Sequence, residues 1–109
     1  MESIKQKIFD YIDSQKDEMI STLSELISYP SVKGEPAPGA PFGIPAAKCL
    51  ERALQICEGF GFTTRNFDGY VGTASYTDGE PELGILAHLD VVPEGTGWTG
   101  EPYKARIAD

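Results

Sequence analysis

The single histidine of this 109-residue chain, His88, stands two residues before an aspartate in the run Gly84-Ile85-Leu86-Ala87-His88-Leu89-Asp90-Val91-Val92-Pro93. An imidazole can give one ring nitrogen to a divalent metal and donate its other N–H to a carboxylate. That second bond fixes the tautomer and raises the basicity of the ligand. Side chains alternate along an extended strand, so His88 and Asp90 project to one face. The chemistry on offer is metal ligation by His88, with Asp90 orienting the ring. Three residues are a weak signal by themselves, because a structural zinc site normally takes four protein ligands.

Other chemistries have less support. There is no Gly-x-Ser-x-Gly elbow, no cysteine with a histidine nearby, and no phosphate-cradling glycine motif after a strand. Cys49 and Cys57 lie eight residues apart in one expected helix. At 1.5 Å rise per residue they are separated by roughly 12 Å, beyond disulfide reach. Both are expected to be reduced thiols, with Cys57 in the core. The acidic residues Asp78, Glu80, Glu82, Glu94 and Glu101 read as solvated loop residues rather than further ligands. Trp98 is expected to pack under the loop that carries the pair rather than to touch substrate.

The elements that must position the pair can be read from periodicity. Ile4, Ile8, Tyr11 and Ile12 share a helical stripe that Met19, Ile20, Leu23, Leu26 and Ile27 continue. The polar interval Asp13 to Glu18 allows a bend, and Pro30 requires the helix to end. These residues predict packing helix without catalytic duty. From Ser31 to Gly43, prolines alternate with glycines and exclude regular structure. A loop this long is usually functional or mobile. A second helix starts near Pro45, buries Ala46, Leu50, Ala53, Leu54, Cys57 and Phe60, and stops at Gly59 and Gly61. Strands are expected over 62–67 and 70–76, joined through Asp68-Gly69. A third, over 83–89, reads as buried on both faces because it is almost continuously apolar. The pair would then lie at the carboxyl end of that strand, where open sheets gather ligands. Another strand begins in Tyr103 to Ile107. The fold class is α/β: two helical segments on an incomplete mixed sheet.

Composition narrows the partners. With a formal net charge of -8 the chain repels phosphate backbones and anionic membranes, so neither nucleic acid nor membrane is an expected partner. No apolar run could span a bilayer, and Met1-Glu2-Ser3-Ile4-Lys5 lacks the build of a secretion signal. A cytoplasmic location fits these features and the free thiols.

The stretch from Gly84 to Pro93, followed by Gly97-Trp98 and Glu101-Pro102-Tyr103, resembles the first metal motif of the two-zinc aminoacylase/carboxypeptidase family of metallopeptidases. Ser31-Val32, Ala40-Pro41-Phe42-Gly43, and Gly61-Phe62 with Asn66 look most like its bacterial dipeptidase V branch, which is carnosinase-like. The resemblance implies that His88 is a zinc ligand and Asp90 the carboxylate that orients it. It also implies that residues 1–109 are the N-terminal portion of a catalytic domain hydrolysing short unblocked peptides. In relatives two metals activate a water and polarise the scissile carbonyl, while a glutamate acts as general base. The family's bridging aspartate, its general-base glutamate and its remaining ligands have no counterpart among these residues. The 109 residues alone are therefore expected to be inactive and to bind zinc weakly. Two other readings are a non-enzymatic or decayed module that binds a partner, and part of a deacetylase or desuccinylase of the same family.

Overall fold

The computed structural model describes residues 3–81 and 83–108. Met1, Glu2, Glu82 and Asp109 lie outside the described residues, and with them the reading of Glu82 as a solvated side chain and the first two residues of the leader argument. Three helices and a two-stranded sheet follow in order: α1 (Ile4–Ser14), α2 (Lys16–Ile27), α3 (Ile44–Gly59), β1 (Thr63–Phe67) and β2 (Val71–Ser75). The mixed α/β class expected from the sequence is the one found.

The first helical segment breaks at Gln15, inside the expected polar interval. Gln15 caps the end of α1 and the start of α2 with φ -96° and ψ 2°. Ser3 begins α1 by accepting the Gln6 N–H on its hydroxyl at 3.1 Å, which satisfies one of the free donors of the first turn. Helix α2 ends at Ile27, ahead of Pro30. The Arg52 guanidinium then ties α3 to α2 through the Glu25 carboxylate at 2.5 Å.

Helix α3 opens after Gly43 with Pro45 in its first turn, where a missing N–H costs nothing. It closes in a Schellman arrangement around Gly61 at φ +92°. The Phe62 N–H reaches Cys57 O at 3.1 Å and the Gly61 N–H reaches Glu58 O at 2.9 Å.

Strands β1 and β2 pair antiparallel, with Thr63 opposite Ser75 and Phe67 opposite Val71. The connecting turn places Asp68 at φ +56° and Gly69 at φ +81°, and the Tyr70 N–H closes it on Phe67 O at 3.0 Å. Two successive positive φ angles give the twist that hairpins favour. Helix α3 packs across both strands, and at Gly72 an added Cβ would lie 2.8 Å from the Leu54 side chain and 2.9 Å from that of Leu50.

The loop over 31–43 is irregular, as its composition demands, yet it is held at several points. Gly34 N–H donates to Phe42 O, Ala37 and Ala40 bridge, and Phe42 meets Tyr70 edge-on at 5.4 Å. The buried residues cluster here and at the helix beside it: Ser31, Ala40, Gly43 and Cys49. Cys49, at 2% exposure, is the buried cysteine, whereas Cys57 is only half-buried, contrary to the expectation for Cys57. Both thiols are free.

Three further expectations are overturned. The apolar run 83–89 forms no strand: Leu83, Ile85 and Leu86 are 81%, 86% and 99% exposed. A strand of this type needs neighbours on both edges and cover on both faces. Among the described residues its neighbourhood offers one parallel bridge, Val32 to Val91. Residues 103–107 are likewise without strand structure. The α1 stripe does not pack as a core face, since Ile4, Ile8, Phe9, Tyr11 and Ile12 are all exposed.

Candidate metal centre

His88 and Asp90 come together although no strand carries them. The imidazole Nδ1 lies 3.0 Å from the Asp90 backbone oxygen and 3.3 Å from its carboxylate Oδ1. Both neighbours of Nδ1 are oxygens that can only accept, so the proton of the neutral ring belongs on Nδ1. Nε2 then carries the lone pair. Both side chains are exposed, so that lone pair is accessible. A tautomer fixed in this way is what a metal-binding histidine requires.

The segment is held by a residue distant in sequence. Ser31, at 2% exposure, donates its hydroxyl to Leu89 O at 2.7 Å. Ser31 O in turn accepts the Val91 N–H at 3.2 Å, beside the bridge between Val32 and Val91. The residue between His88 and Asp90 is thus fastened at its carbonyl. The sequence singled out Ser31-Val32 only as part of a resemblance. A contact between residues 58 apart leaves no trace in periodicity.

His88 lies between two hollows. One of about 710 Å³ is bordered by Leu23, Ile27, Trp98, Tyr103 and Arg106. The other, of about 410 Å³, is bordered by Lys33, Phe42, Leu50, Tyr70 and Asp90. Trp98 is 60% exposed and does not pack as core, contrary to expectation. Its indole N–H instead donates to Glu94 O at 2.7 Å and folds the loop that follows the pair. Glu94 is not simply solvated either, because the Tyr103 hydroxyl donates to its carboxylate at 2.8 Å. Its own backbone N–H and that hydroxyl hold the Glu94 carboxyl below the usual range, while the Tyr103 phenol is raised by the same bond. Glu101 pairs with Lys104 at 3.5 Å. Asp78 and Glu80 are exposed, as expected.

The donor set fits a metal in part. His88 presents one accessible ring nitrogen, Nε2. Among the described residues no group of three or more His, Cys, Asp or Glu side chains could hold an ion together. A complete site needs donors besides these.

Comparison with known proteins gives the chemistry a context. No protein-family model matches the chain. The chain is 39% identical over 95 residues to a Bacillus subtilis protein with a provisional dipeptidase name, YtjP. That alignment covers 85% of this chain and 20% of the relative. It is 34% identical over 97 residues to the beta-Ala-Xaa dipeptidase of Lactobacillus delbrueckii subsp. lactis, covering 87% and 21% respectively. A Staphylococcus aureus protein, also provisionally named a dipeptidase, is 33% identical over 107 residues, covering 96% and 22%. The chain spans about a fifth of the length of these relatives.

Proposed function

We propose that the chain, which is 33–39% identical over most of its own length to relatives named dipeptidases, forms one part of a zinc-dependent hydrolase of short, unblocked peptides. The observation that carries this reading is the His88 ring, held through Nδ1 by Asp90 with Nε2 left free. Zinc, when bound, would lower the pKa of a water and polarise the scissile carbonyl. His88 would supply a neutral nitrogen donor through Nε2. Asp90 would keep the Nδ1 proton in place and offset the charge that ligation draws from the ring. The remaining donors and the general base belong to residues outside these 109, so the isolated chain is inactive and holds zinc weakly. In this reading the exposed run 83–89 is a strand awaiting its neighbours in the larger sheet. A cytoplasmic location follows as part of the same proposal, supported by the free thiols. Among the described residues no helix is long and apolar enough to cross a membrane.

The test has two arms. Zinc titration calorimetry and a dipeptide-cleavage assay on the 109-residue chain should show weak binding and no turnover. The coding sequence beyond Asp109 should continue into a glycine-rich Asp-Asp-Lys segment and a Glu-Glu pair. Turnover by the pure chain would refute the division of labour proposed here.

A further inference from the structure

Ser31 is the one buried polar residue among the described side chains, and it makes two bonds to the segment that carries His88. Its hydroxyl holds Leu89 O at 2.7 Å and its carbonyl receives the Val91 N–H at 3.2 Å. Residues 83–88 are exposed and lack any ladder of their own. Leu89 is the residue between the imidazole and the aspartate. Fixing its carbonyl fixes the peptide plane that enters Asp90. The Asp90 backbone oxygen and carboxylate, in turn, are the two acceptors facing His88 Nδ1.

We propose that Ser31 is a positioning residue for the metal-binding histidine. Its buried hydroxyl sets the Leu89–Asp90 peptide so that Asp90 presents both oxygens to His88 Nδ1 and leaves Nε2 to the metal. This deepens the zinc reading and rests on it for its purpose, although the geometry can be tested without metal. The site of Ser31 supports the role. Its neighbour Cys49, also 2% exposed, has its thiol raised by burial. Water has little access there to replace a lost hydroxyl, so removing it leaves Leu89 O without its partner.

The experiment uses the fact that the chain has a single histidine. With ¹⁵N-labelled histidine, a long-range ¹H–¹⁵N correlation at one fixed pH above the imidazole range reads the tautomer of His88 directly. The unmodified chain should show mainly the Nδ1–H form. Ser31→Ala should turn that majority into a minority, because an unconstrained imidazole favours Nε2–H. Arg52→Gln, which breaks the α2–α3 ion pair and removes no bond to Ser31, His88 or Asp90, should leave the tautomer unchanged while lowering stability. A Ser31→Ala spectrum identical to the original would overturn the proposal, as would an equal shift in Arg52→Gln. An unmodified ring already in the Nε2–H form would remove the His88–Asp90 bond on which both this inference and the assigned role of Asp90 depend. Zinc-dependent peptide hydrolysis is read separately, by the turnover of the full-length protein, so the two can fail independently. If Ser31→Ala does not fold, the unmodified chain still decides: a slowly exchanging Ser31 hydroxyl proton coupled across the bond to the Leu89 carbonyl carbon is expected, and its absence counts against the role.

Discussion

At the scale of single residues, the central pair depends on one proton. The acceptors at 3.0 and 3.3 Å place it on Nδ1, and removing the charged one, the carboxylate, should weaken any metal bound at Nε2. In the protein taken to the length of its relatives, Asp90→Ala should lower zinc affinity by roughly 10–100-fold, the usual effect of losing such a partner. Asp90→Asn keeps an acceptor without the charge and should fall between the two, as metal-competition titration would show. The cysteines offer a second check. Burial raises the Cys49 thiol and shields it, so a thiol reagent should label half-buried Cys57 first, read by mass spectrometry. The pairing of His88 with Asp90 was legible because a spacing of two is local. That Cys49 rather than Cys57 is buried was not, because Cys49 lies beside Ser31, a contact between residues far apart in sequence that the periodicity of α3 does not record.

Elements show where a Cβ has room. At Gly69 it would lie 2.7 Å from Gly39 O and 2.8 Å from Pro41 Cδ, at a φ of +81°. At Gly72 it would meet only the ends of the Leu50 and Leu54 side chains, which can move. Gly69→Ala should therefore cost more stability than Gly72→Ala, with the former on the order of 1–3 kcal/mol from strain and overpacking. Paired thermal melts decide the ranking. The Arg52–Glu25 contact makes a different prediction. The Arg52 hydrogen bond is the largest effect on Glu25 and holds its carboxyl below the usual range, so the folded state binds the proton less readily than the unfolded one. The contact's contribution is complete above the ordinary glutamate range and fades as pH falls through the lowered value. Arg52→Gln should flatten that part of a stability-against-pH profile. Helices and hairpin were readable because their signals are local: Pro45, Gly61, and Asp68-Gly69. The run 83–89 was not, because an apolar stretch specifies burial without saying which chain supplies it.

Across the whole molecule the dimensions point to a surface in need of cover. Its accessible area is 9193 Å², against about 5900 Å² for a compact monomer of this mass. Its radius of gyration is 16.8 Å and its extents 55 × 41 × 19 Å, where a compact chain of this length measures about 13 Å in radius of gyration. The excess lies where Leu83, Ile85, Leu86, Val92 and the α1 stripe face outward. Open edges and apolar patches of this kind drive association. The 109-residue chain is expected to bind an apolar dye and to elute as associated species in size-exclusion chromatography. A compact monomer with a cooperative melt would favour a freestanding partner-binding module instead. The most direct test of the account is dipeptide hydrolysis by the product of the whole reading frame that contains this sequence, assayed after chelation and after zinc is restored, with and without His88→Ala. Turnover should be abolished by chelation, restored by zinc and lost in His88→Ala. Turnover indifferent to chelation or to the loss of His88 would contradict the zinc reading.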